Sequence, residues 1–174
     1  MKNISLLTFS QFILLFFLLI MSTSHHVQAN DDLRLANLPS TTAQQLNELA
    51  QNQNWQVRQA VAMNRRASEA TLSKLAQDNQ IEVRIAVCTN LSTTNAIFKL
   101  LAIDEAEQVR SVVARFEYVS AEVMAMLAKD KSPDIRVEAA RNWNTDIKTL
   151  KQLSKDEYEE VSNMALRSLA DREK

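Results

Sequence analysis

The sequence predicts an all-α protein, a solenoid of five stacked helical hairpins, and three observations carry that prediction. Val57-Arg58, Val83-Arg84, Val109-Arg110 and Ile135-Arg136 recur every 26 residues, and Val161-Ser162 continues the series. A fixed period of this size marks structural units that bury their apolar faces against one another. Within each period the apolar residues fall three and four apart, the spacing of a helix face and not of a strand. Finally, the 174 residues contain no Gly, so a β protein built on glycine turns is a poor fit.

The elements follow in chain order. Residues 1–29 read as a cleaved signal peptide: Lys2 gives a positive start, residues 12–21 are a short apolar run, and Val27 and Ala29 suit the −3 and −1 positions of a cleavage site. The run is short for a membrane span of about 20 residues. Without cleavage the chain would be a membrane-tethered regulator; after cleavage no stable membrane insertion is expected. Residues 30–39 read as an N-terminal capping segment, since Leu33, Leu35, Ala36, Leu38 and Pro39 resemble the tail of a degenerate half unit.

Residues 40–174 form the repeat domain, with units at 40–65, 66–91, 92–117, 118–143 and 144–169. Thr42, Ser68, Thr94, Ser120 and Asp146 head the first helices as N-caps, and Thr42 with Gln45 fits a capping box. The buried stripe follows at Leu46/Leu49, Leu72/Leu75, Phe98/Leu101, Met124/Leu127 and Leu150/Leu153. Asn52, Asp78, Asp104, Asp130 and Asp156 open the connectors, and Ser132-Pro133 marks the second helix best, as N-cap and N1 residue. Val57/Val61, Val83/Val87, Val109/Val113, Ile135/Ala139 and Val161/Ala165 are its buried face. Ala62, Cys88, Ala114 and Ala140 beside them are small enough for close approach. Asn64, Asn90 and Asn142, just past the second helix, stand where a left-handed residue would end a helix, the role glycine usually fills. The charged run at 171–174 suits the polar end that a solenoid needs.

Composition narrows the chemistry. Lys2 is the only charged residue of 1–29, so the remainder carries 19 basic and 21 acidic residues, a net charge near −2. A nucleic-acid binder would carry a basic stripe and a high pI, so no nucleic-acid partner is expected. Both histidines, His25 and His26, leave with the signal, and Cys88 is the only cysteine. No metal site, cofactor or catalytic constellation is expected, and Cys88 reads as a small core residue.

The frame L-x-x-L-A-x-D, four residues, then V-R-x-x-V, a small residue, x and N runs through residues 72–90, with Cys88 as the small residue. It resembles the leucine-rich repeat variant family and is similar to short HEAT-like helical repeats, over residues 40–169. The resemblance implies a right-handed superhelix of paired helices that binds an unidentified protein as a non-catalytic scaffold or adaptor. It also raises a HEAT-like lyase or another enzyme accessory as the alternative. The period here is slightly longer than is usual for the variant family. The cysteine cluster with which one member holds an iron–sulfur cluster is absent, so that property does not carry over.

Two charged series stand out. Asp78, Asp104 and Asp130 precede Arg84, Arg110 and Arg136 by six residues, and read as a structural ladder in which each Arg bonds a connector carboxylate or carbonyl of its own or an adjacent unit. Arg115, Arg141 and Arg167 lie near the end of the second helix in the last three units. Together with Ile85 and Val137, expected to be exposed on the face that the second helices of successive units line, they form the possible partner surface. Of the aromatic residues, Trp55 is expected to be partly exposed, and Phe116 and Trp143 to cover the core.

Overall fold

A computed structural model describes residues 28 and 30–172. Apart from Gln28, the expected signal peptide lies outside the described residues. The described chain is all helix and loop, without strands. Residues 30–37 form α1, followed by five helix pairs. They are α2 (Ala43–Leu49) with α3 (Trp55–Met63), α4 (Glu69–Leu75) with α5 (Ile81–Thr89), and α6 (Asn95–Leu101) with α7 (Glu107–Arg115). The last two are α8 (Ala121–Leu127) with α9 (Pro133–Arg141), and α10 (Ile147–Leu153) with α11 (Glu159–Arg172). Each start recurs at the 26-residue step. In that frame α1 ends where the second helices end, so it is the second helix of a half unit, and its Ala36 is fully buried.

The second helices form the spine, α3 packing on α5, α5 on α7, α7 on α9 and α9 on α11. Ala62, Cys88, Ala114 and Ala140 are fully buried there. Small side chains at this position let the helix backbones approach closely. Leu46, Leu72, Phe98, Met124 and Leu150 bring the first helices onto the same core. The core is continuous from Ala36 to Ala139, and a second cluster around Val137, Leu150 and Val161 meets it at Ala128.

Caps begin most first helices. The side chains of Thr42, Ser68, Ser120 and Asp146 accept from an amide three residues on, and Thr42–Gln45 forms the full capping box. Thr94 does not cap; its hydroxyl donates to Glu69 of the preceding unit at 2.9 Å. Ser132 likewise leaves its helix and donates to Glu107 at 2.8 Å, while the Ser132 amide is taken by Asp130. Pro133 occupies the first turn as expected.

Helix endings differ from expectation. No described residue has positive φ, and Asn64, Asn90 and Asn142 are extended, with ψ of 123°, 126° and 130°. Their side chains reach into the preceding unit instead. The Asn90 amide donates to the carbonyls of Ala62 and Asn64 at 2.6 and 3.0 Å. Asn64 and Asn142 make the same pair of bonds 28 and 26 residues back. Carbonyls orphaned at one helix end are thus satisfied by the next unit. Phe116 replaces this asparagine in the third unit and packs on Phe98, 5.5 Å between ring centres.

Candidate functional site

The repeat has two long edges, one made of connectors and one of the turns between units. On the connector edge four guanidinium–carboxylate rungs cross unit boundaries. Arg58 grips Asp78, Arg84 grips Asp104, Arg110 grips Asp130 and Arg136 grips Asp156, each through Nε and Nη2 with distances of 2.6–3.0 Å. The third nitrogen of each Arg donates to the carbonyl at the head of its own connector, as Arg84 Nη1 does to Asp78 at 2.7 Å. Both arrangements anticipated for these arginines therefore occur at once, one on each side of the guanidinium.

Pairing across units brings in Arg58 and Asp156, which a six-residue offset within one unit overlooks. The signal was the 20-residue offset between the two series. The ladder ends in a rung without a guanidinium: Asn52 donates to Asp32 at 2.8 Å, and Asp32 occupies the arginine position of the half unit.

The electrostatics follow the contacts. Burial alone would raise the Asp78 and Asp130 carboxyls, but the arginine and the amide two residues on hold both below the ordinary value. The Arg136 hydrogen bonds hold Asp156 low. Hydrogen bonds to the facing carboxylate raise Arg58, Arg84, Arg110 and Arg136. A large cavity lies over this edge at Arg84, Asp104 and Ile103, but Arg84 and Asp104 are already bound to each other. Cys88 is buried against the Arg84 carbonyl, and burial pushes its thiol up to about 12. Among the described residues no three His, Cys, Asp or Glu side chains converge to hold a metal.

The opposite edge is open. Arg115, Arg141 and Arg167 are exposed, in line with Met63 and Thr89 of the earlier units. The expected exposure of Ile85 and Val137 is corrected: Ile85 is half-buried against the core, and Val137 is only 5% exposed. Their position lies at the seam between successive second helices, and α11 covers Val137 from the next unit.

Trp143 reverses the other expectation. It is 74% exposed, and Tyr118 is 71% exposed. The cause is local. Asn142 is extended and turns its side chain inward to the carbonyls of Ala114 and Phe116, so the next residue along an extended segment points outward. Trp55 is half-buried and Phe116 packs on the core, as expected.

A groove of about 640 Å³ between the third and fourth units collects these groups: Arg115, Glu117, Tyr118, Glu138, Arg141 and Trp143. Both aromatic rings are braced from behind. Tyr118 meets Phe116 edge-on at 5.7 Å, and the Arg172 guanidinium stacks 5.3 Å from the Trp143 ring centre. Arg172 also donates to the carbonyls of Asn142, Trp143 and Thr145, tying α11 to the turn that follows α9. Arg141 is held by Glu138 at 3.1 Å. The groove offers π-faces, two guanidiniums and two carboxylates, which suits recognition.

The chain matches no protein-family model and no characterised protein. No helix among the described residues is long and apolar enough to cross a membrane.

Proposed function

We propose that the chain is an exported, non-catalytic helical-repeat protein, a right-handed solenoid that binds another protein along the open edge of its unit turns. The observation that carries this reading is the groove where exposed Tyr118 and Trp143 stand beside Arg115 and Arg141, with Tyr118 braced by Phe116 and Trp143 by Arg172. Tyr, Trp and Arg are the residues enriched at binding hot spots. A large aromatic held open to water by its own fold is ready to bind without a further ordering cost. The apolar run at 12–21 and the small residues Val27 and Ala29 support a periplasmic or secreted location.

Two measurements test this. Intact mass of protein recovered from the envelope fraction should match a chain beginning at Asn30; the mass of a chain beginning at Met1 would refute cleavage. Capture of envelope proteins by Arg115→Glu/Arg141→Glu should weaken, and more salt should weaken wild-type capture, since rim charges are screened. A double variant that keeps its fold and captures the same proteins as wild type would place binding on another surface.

A further inference from the structure

We propose that the open edge takes an extended, proline-rich acidic segment of its partner in the polyproline II conformation, one turn of ligand per repeat unit. The inference rests on the protein-binding reading and adds the chemistry and period of the occupant.

Two things define the edge: each unit contributes the same positions, and the units are stacked by direct packing of α7 on α9 and α9 on α11. Packed helices lie about 8–10 Å apart. Polyproline II advances about 3.1 Å per residue with three residues per turn, so one turn spans about 9 Å. The two periods match. A ligand lying across the turns would present the same face to each unit, with no distortion of either partner.

The charges select what that face carries. Arg115, Arg141 and Arg167 occupy one repeat position in three consecutive units and are all exposed. Among the described residues neither Arg115 nor Arg167 forms an ion pair, and Arg141, itself exposed, pairs with the half-buried Glu138 one turn back. An acidic side chain once per turn complements this row. Glu117 and Glu138 also line the groove and repel acids placed out of phase. Between the arginines, Tyr118 and Trp143 offer flat faces for proline rings, the usual way aromatic grooves receive this conformation. Exposed guanidiniums and the Trp143 indole N–H supply donors for the ligand's carbonyls, which this backbone leaves unbonded.

The test uses the chain with Trp55→Phe, so that Trp143 is the sole fluorescent tryptophan. Three synthetic peptides serve as probes: repeated Glu-Pro-Pro triplets, an isomer of identical composition with the glutamates grouped at one end, and repeated Lys-Pro-Pro triplets. The phased acidic peptide should change Trp143 emission saturably, and the other two should not. Arg115→Glu/Arg141→Glu, shown folded by circular dichroism, should weaken binding roughly tenfold, the scale of two exposed charge pairs. Trp143→Ala should weaken binding read by anisotropy of the labelled peptide. Equal binding of the grouped isomer, preference for the lysine peptide, or no binding of the phased peptide would each overturn the proposal. If the phased peptide fails while envelope capture persists and is still lost in the double arginine variant, the edge binds protein and only the occupant is wrong.

Discussion

Arg110 is 4% exposed and Asp130 is nearly as buried, so their pairing is set in a low-dielectric setting. Removing one partner strands the other charge. Arg110→Met should cost about 3–5 kcal/mol in a denaturant melt, and Arg110→Met/Asp130→Leu should recover most of that loss, because a packed apolar pair can replace a buried ion pair. An unchanged midpoint for the single variant would mean that water reaches the rung. The same rungs set the response to acid. Asp78, Asp130 and Asp156 have folded pKa values below the ordinary 3.8. Their contribution is complete above the unfolded carboxylate range and is lost as pH falls through the lower folded values. Urea midpoints should therefore hold from neutral pH to about pH 5 and fall steeply below about pH 4. Asp156→Asn should flatten that fall.

Among the elements, the second helices depend on a bond that belongs to the next unit. Asn90 is buried and serves two carbonyls of the preceding helix end. Asn90→Ala should cost about 1–3 kcal/mol, the penalty of leaving buried groups unpaired. Asn95→Ala, on the exposed first turn of α6, should stay within about 0.5 kcal/mol. The pair separates a stitching role from a generic asparagine effect.

Much at this scale was legible beforehand. The 26-residue frame marks every helix start, since caps and apolar stripes are local and periodic. The asparagines misled because composition says that glycine is absent without saying how the chain manages without it. Here the ends of α1, α3 and α7 close through an extended residue and an asparagine side chain of the next unit. Trp143 was misplaced with them, because the extended Asn142 turns inward and sets the next residue outward. Val137 was misplaced for a different reason. Burial at a seam depends on how one helix is rotated against the next, and a repeat of letters carries no information about that rotation. The groove was half visible: Arg115 and Arg141 stand out by register, while Tyr118 and Trp143 occupy adjacent, not identical, repeat positions.

For the molecule as a whole, position along the stack decides the cost of a cavity. Leu101 is fully buried in the central unit, whereas Leu33 is only partly buried in the terminal half unit. Leu101→Ala should cost about 2–5 kcal/mol, and Leu33→Ala clearly less, in matched chemical melts. Equal losses would contradict stacking of units in a row, where an end unit has one neighbour and a middle one has two.

Because each rung joins a unit only to the one after it, the chain carries no record of how many units it has. Excising residues 66–91 would bring Arg58 opposite Asp104 in the place Asp78 held, with the inter-unit turn unchanged in length. The shortened protein should fold cooperatively, lose the helical signal of one pair, and keep the Tyr118–Trp143 groove. Excising residues 70–95, the same length in a shifted frame, should fold equally well, whereas removing two residues more or fewer should not. Length is then an adjustable property of this architecture, quantised in whole repeats.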